Sequence, residues 1–251
     1  MSEPPWEQAV RLTQASLRQR EIKRFYGAAS VGEFESGWAL LLDGRVARTP
    51  AKNRLVAPTL AIAEAIAAEW AGQGAVIDPA SMPVTRLANS ALDGVAGTMA
   101  ETRADIARYA SADLLCYRAA EPEELVAMQT ETFDPALAWG EQALGARFLR
   151  SAGITHVTQP EPALAAVRRA VDACEGPFEV AALHSLTSLS GSVLLALAVA
   201  RQALGAEDAW RTAHVEEDFQ IRKWGEDEEG MRRRAARWAE FAAAALVIAA
   251  A

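Results

Sequence analysis

Hydrophobic and polar positions change rhythm twice along the chain. From Pro5 to Arg20 the spacing predicts a first helix. Short runs follow, KRFYGAASV, GWALLL, RVART and NRLVA, rich in aromatic and branched side chains and punctuated by Gly32, Gly37, Asp43-Gly44 and Pro50. These read as strands. Asp-Gly between LLL and RVAR predicts a two-residue hairpin, because a type I′ turn needs positive φ at both central positions. Pro58 opens a helix through PTLAIAEAIAAEWAGQG, where Ile62, Ile66, Glu69 and Trp70 keep helical spacing and Gly72 or Gly74 supplies the stop. AVIDPASMPV is a connector broken by Pro79 and Pro83. Beyond it nearly everything to Ala251 reads as helix, apart from RFLRSAGITHVTQP, with Gly94 and Gly97 of DGVAGTM marking a helix stop. The expected fold is α+β, with a boundary near residue 85. A small sheet-and-helix domain occupies residues 1–85 and an all-helical domain residues 86–251.

Two helical stretches carry more information. Val180 to Ala200 contains no Asp, Glu, Lys or Arg, yet His184, Ser185, Thr187, Ser188, Ser190, Gly191 and Ser192 interrupt it. It falls short of a membrane span and reads as a buried core helix. At about 100° per residue, Trp210, Ala213, Glu217, Ile221 and Trp224 fall on one face of a continuous helix, with Gln220 at its border. Glu217 then interrupts an apolar stripe, where an unpaired carboxylate is costly to bury. It requires a partner: an Arg from another helix, His214 one turn earlier, or a group on another protein. The pattern leaves open whether Glu217 is a satisfied core-edge carboxylate or an interface group. Glu216 projects towards the side of Gln220 and Lys223. After Gly225, EDEE places negative charge in the first turn of a new helix, with Glu228–Arg232 and Glu229–Arg233 four apart in the favourable order.

Charge and chemistry narrow the function. A net charge of −8 over 251 residues argues against a general nucleic-acid binder and against an anionic membrane surface. The first twenty residues lack the apolar core of a secretion signal. Cys116 and Cys174 are too few and too far apart for a disulfide framework or zinc site, and read as buried free thiols. There is no G-x-G-x-x-G, no G-x-x-x-x-G-K-[ST] and no H-E-x-x-H; His156, His184 and His214 are scattered. No metal or cofactor is expected. LHSLTSLSGS sets four serines near His184, but without a strained nucleophile elbow, so small hydroxyls in a packed helix are the simpler reading.

The ordered motifs KRFY (Lys23–Tyr26), LDGR with TP (Leu42–Arg45, Thr49, Pro50), EWAGQ (Glu69–Gln73), MPVTRLANSALD (Met82–Asp93), YASADLLCYR (Tyr109–Arg118), QTETFDPALAW (Gln129–Trp139) and EEDFQIRKWG (Glu216–Gly225) resemble one family. It is the assembly chaperone of the F-type ATP synthase that binds the α subunit of the catalytic head, found in mitochondria and α-proteobacteria. Phe133 stands where that family carries Trp. The resemblance implies a sheet-and-helix domain joined to an orthogonal helical bundle, and a monomeric chaperone with no catalytic residues, no nucleotide hydrolysis and no membrane insertion. It also implies a bacterial cytoplasmic location, or the mitochondrial matrix for eukaryotic relatives. Its acidic motif falls on Glu216 and Glu217; with Gln220 and Trp224 these are the expected partner-binding residues. Two alternatives stand beside it: a small-molecule hydrolase using His184 and a neighbouring serine, and a regulatory adaptor with another target.

Overall fold

The structure, a computed structural model, describes residues 22–153 and 155–251; the helix expected over Pro5–Arg20 lies outside them. β2 (Ala29–Phe34) and β3 (Gly37–Leu42) form the long hairpin, antiparallel from Ala29 opposite Leu42 to Phe34 opposite Gly37. β4 (Arg45–Val46) returns onto β3 through Asp43 and Gly44, whose φ angles of 49° and 77° are the two positive values the dipeptide predicts. β5 (Val56–Ala57) pairs further along β3, with Trp38 opposite Ala57. β1 (Ile22–Lys23) and β6 (Val76–Ile77) form a separate antiparallel pair. α1 (Leu60–Ala71) lies across β2 and β3 and buries Ile62, Ala63, Ile66 and Ala67, a stripe repeating every fourth residue. Asp43 also accepts the N–H groups of Ala28 and Gly27 at 2.8 and 3.0 Å, which hold its carboxyl below the usual range.

Two carboxylates join the sheet to the helices. α2 (Pro83–Asp93) starts at a proline, whose missing N–H suits a first turn. The next two N–H groups, of Val84 and Thr85, donate to Glu69 of α1 at 2.7 Å each, as does the Thr85 hydroxyl. Burial pushes the Glu69 carboxyl up against the pull of these donors. At the far end of α2, Asp93 accepts the Thr49 hydroxyl, the Ala51 N–H at 3.0 Å and the Asn53 side-chain amide at 2.8 Å. Burial raises the Asp93 pKa, and the donors together outweigh it, leaving the carboxyl below its ordinary value.

The remaining helices are α3 (Met99–Arg108), α4 (Glu123–Leu144), α5 (Glu161–Asp172), α6 (Pro177–Ser190), α7 (Val193–Ala200), α8 (Ala206–Ala213), α9 (Val215–Trp224) and α10 (Glu228–Ala250). The apolar stretch 180–200 is the buried centre, as its composition requires, but as two helices. α6 and α7 part at Gly191, where φ is 71°. α6 packs against α2, α3 and α10. The buried cluster runs without a gap from Leu40 and Ile62 in the sheet lobe to Val167, Leu194 and Phe241 among the helices. No helix among the described residues is long and apolar enough to cross a membrane.

A helix that starts in a dry core leaves its first N–H groups without water, so something must accept them. Asp113 does so for α7. Fully buried, it accepts the Leu194 N–H at 3.1 Å, the Ser192 hydroxyl at 2.7 Å and the Leu115 N–H at 3.0 Å. Burial pushes its pKa up to about 6 in spite of these donors. The same side chain corrects one expectation. YASADLLCYR is not helical: it forms two 3₁₀ turns, Tyr109–Ala112 and Leu114–Cys116, then β7 (Tyr117–Arg118), which pairs in parallel with β8 (Ser151–Ala152). The Asp113 carboxylate takes the Leu115 N–H that a helix would use internally. Cys116 and Cys174 are free thiols, Cys116 in the core with its pKa pushed up to about 12 by burial, Cys174 only half-buried.

These junctions set two expected outcomes. Asp113 binds a proton more tightly folded than unfolded, so its contribution is complete below about pH 4 and is lost as pH rises through about 6. Subtracting the unfolding free energy of Asp113→Asn from wild type between pH 4 and 7.5 should expose a fall of roughly 2–3 kcal/mol with rising pH; a flat difference refutes the assignment. Glu69→Ala should lower the urea midpoint by the equivalent of roughly 1–2 kcal/mol, with an unchanged slope, through loss of the α2 cap.

Candidate functional site

The four expected partner-binding residues all lie on α9, and the way it is held decides what they present. One expectation fails first. Residues 210–224 are not a single helix: α8 ends and α9 begins at His214, with φ −114° and ψ 20°. The stripe from Trp210 to Trp224 is therefore divided between two helices. Trp210 is buried against Trp238 and Phe241, whereas Trp224 is 76% exposed. His214 is built into the break. Its Nδ1 lies 2.8 Å from the Trp210 carbonyl, which can only accept, so Nδ1 carries the proton and Nε2 receives Arg237 at 3.2 Å. Burial lowers the His214 pKa, and Arg237 adds to that effect. A neutral ring seals the corner.

Val215 and Phe219, one turn apart, are the buried anchors of α9, which rests on α4. Glu124 of α4 grips its last turn through Lys223 at 2.6 Å and Arg222 at 3.7 Å, and these cations, Lys223 first, hold the Glu124 carboxyl below its usual range. On the other side Arg234 of α10, itself nearly buried, pairs with Asp218 and reaches Glu217 at 4.0 Å. With both flanks fixed, Glu216, Gln220, Trp224 and Glu217 fall within about 100° of arc on one outward face. The structure brings the four together.

Glu217 is neither buried nor orphaned: its side chain keeps 37% of its exposure and its partner is Arg234. Arg234 is the Arg from another helix that the pattern named as one possible partner, and the helix break turns Glu217 off the Trp210 stripe. Glu216 is the more constrained acid. Gln129, fully buried in α4, donates its Nε2–H to Glu216 Oε1 at 2.7 Å while its Oε1 accepts the Ala119 N–H at 2.7 Å. A buried amide bonded at both ends thus fixes the orientation of a carboxylate on an otherwise exposed residue. Arg118 supports the same corner, donating to the Gln129 carbonyl at 3.2 Å, pairing with Asp134 at 2.9 Å and lying over the Phe133 ring. The sequence reading passed over Gln129, Arg118 and Glu124. Gln129 and Arg118 sit inside the ordered motifs, but nothing in one chain shows that they meet Glu216.

The other chemistry considered does not assemble. His184 pairs with Asp105 at 3.0 Å. The Ser188 and Ser190 hydroxyls donate back to the carbonyls of Ser185 and Leu186 in their own helix, and Ser192 donates to Asp113. Among the described residues no hydrogen bond links His184 to a serine, and no group of His, Cys, Asp and Glu side chains is arranged to hold a metal ion. Downstream, Asp227 caps α10 through the Gly230 N–H at 2.8 Å, and Glu229–Arg233 and Glu228–Arg232 close at 2.6 and 4.0 Å, as their spacing predicts. Most of the acidic run is thus helix-start chemistry, leaving α9 as the face without a local explanation.

The family model described as ATP12 chaperone protein matches residues 23–141, which includes Gln129, Arg118 and Glu124. A putative chaperone from Agrobacterium tumefaciens is 43% identical, with a TM-score of 0.88 over 99% of this chain and 92% of that one. Atp12 from Paracoccus denitrificans is 39% identical, with a TM-score of 0.83 over 91% of this chain and 97% of that one. A point mutant of the Paracoccus protein superposes equally well, with a TM-score of 0.82. At this identity, over nearly the whole of each chain, the sheet lobe and the helices agree together, and the chain belongs to the ATP12 chaperone family.

Proposed function

We propose that this chaperone serves assembly of the F-type ATP synthase by binding the free α subunit, through Glu216, Glu217, Gln220 and Trp224, until the β subunit replaces it. The observation that carries the reading is the exposed face of α9, an indole at 76% exposure beside carboxylates whose orientation is fixed from beneath. A large aromatic exposed at this level contributes to stability only if something covers it. Aromatic anchors flanked by oriented charges are the usual centre of an interface.

The physical task suits such a face. An unassembled subunit of a ring exposes apolar surface meant for its neighbour, and that surface aggregates. A face of one helix covers a small part of it and holds it with moderate affinity, so the larger native interface displaces it by mass action. Glu216 reaches its binding geometry before the client arrives, because Gln129 has already ordered it. The proposal places the protein in the bacterial cytoplasm, with the mitochondrial matrix as the location of eukaryotic relatives. The domain boundary near residue 85 belongs to the same proposal, with the helical part presenting α9.

Co-expression with the cognate α subunit followed by size exclusion should give a co-eluting complex; an α subunit that stays insoluble and never co-elutes rejects the proposal. Within it, Trp224→Ala should weaken capture about tenfold or more with an unchanged thermal midpoint, because the indole is exposed; Glu216→Lys should weaken capture similarly but also lower the midpoint, because it leaves the buried Gln129 amide without its acceptor. Wild-type affinity in a folded variant removes that residue from the interface.

A further inference from the structure

A second surface, remote from α9 in sequence and of opposite charge character, lies on the sheet lobe. Phe25 is 68% exposed, and its ring meets those of Tyr26 and Trp70 edge-on at 5.4 and 6.4 Å. The three rings, with Leu42 and Val46, line a pocket of about 580 Å³ whose remaining polar wall is Asp43, Arg45 and Arg48. That volume suits a large side chain and its flanking residues.

The charges around the pocket are unevenly satisfied. Both oxygens of Asp43 already receive backbone N–H groups from Gly27 and Ala28. Arg24, which lies over the Tyr26 ring, is spent on the carbonyls of Tyr26, Gln73 and Gly27. Arg48 donates to the Lys52 carbonyl, a neutral group, and neither Arg45 nor Arg48 has an ion-pair partner among the described residues. The Trp70 indole N–H has no acceptor among them either. The pocket thus offers an apolar floor and two guanidiniums against one carboxylate, whose oxygens are already hydrogen-bonded to the backbone. The wider distribution agrees with this. Residues 79–251 hold 24 acidic and 16 basic side chains, so the entire net charge of −8 lies outside the sheet lobe.

We propose that this pocket is a second docking site, which takes a polypeptide segment with an exposed aromatic or large aliphatic side chain next to a carboxylate. The apolar side chain packs onto the wall formed by Phe25, Trp70, Leu42 and Val46, and the carboxylate meets Arg45 and Arg48. The site stands whether or not the α subunit is the client, because it rests on the pocket's own chemistry. An amphipathic acidic segment is what it selects. A basic segment would face two guanidiniums and find no free carboxylate.

The test uses the full chain and a defined probe, a blocked pentapeptide with phenylalanine between two glutamates, against the same peptide carrying glutamines. Binding is followed by NMR at the Trp70 indole and at the amides of residues 25 and 45–48. The acidic peptide should perturb these signals saturably at millimolar concentration, and the glutamine peptide should bind about fivefold more weakly. Phe25→Ala should reduce both affinities, whereas Arg45→Gln with Arg48→Gln should erase the difference between the peptides; all three side chains are exposed and leave the fold intact. Equal binding of the two peptides, no perturbation at Trp70 up to about 10 mM, or the same shifts on raising the concentration of the protein alone would overturn the proposal. The last outcome would give the pocket to a second copy of the chain.

Discussion

Buried helix ends are the constraint from which the rest of this structure follows. The chain reverses direction inside its own core, so two helices, α2 and α7, begin where no water can reach their first N–H groups. Each such start is met by a carboxylate from elsewhere in the chain: Asp113 for α7, Glu69 for α2. Asp113 is the most demanding case because it is wholly enclosed. Its ionised form is tolerated only through three donors, and those donors fix the 3₁₀ turns, the α6–α7 break and hence the position of α4 under the α9 face. Glu69 plays the equivalent part at the start of α2, and Asp93 at its other end holds the Thr49–Asn53 loop, so the two lock the sheet to the helices.

How much could be read from the sequence follows from the range of each interaction. Local signals translated directly. Asp43-Gly44 made its turn, the Pro58 helix ran to Gly72, and EDEE started α10. The break at His214 did not show, because helical periodicity continues across it and only the stacking of His214 on Trp210, with Arg237 arriving from α10, makes the interruption favourable. YASADLLCYR failed for a similar reason. Its apolar spacing suits a helix, but Asp113 is committed to groups about eighty residues away. Gln129 was unreadable for the same cause, as its role lies in a contact with Glu216 across 87 positions.

The motifs behind the family resemblance acquire physical content in the same way. EWAGQ supplies the α2 cap at Glu69, the ring at Trp70 and a buried amide at Gln73 that accepts the Asp78 N–H at 2.7 Å. TP and MPVTRLANSALD meet at Thr49 and Asp93; YASADLLCYR and QTETFDPALAW meet at Arg118, Asp134 and Gln129. Most motif residues hold other motifs in place. EEDFQIRKWG sets an exposed indole beside a carboxylate held by a buried amide, and the functional reading concentrates there.

α10 gives these surfaces a fixed geometry. At 23 residues it is about 34 Å long. Its first turns clasp α8 and α9 through Arg234 and Arg237, and its body lies against α1 and α2, with Glu240 paired to Arg86 at 2.9 Å. Its helical segment contains no proline to kink it. The acidic corner and the sheet lobe are therefore spaced by a rod, and the molecule carries a built-in ruler: any surface that grips it at both ends has to span that length.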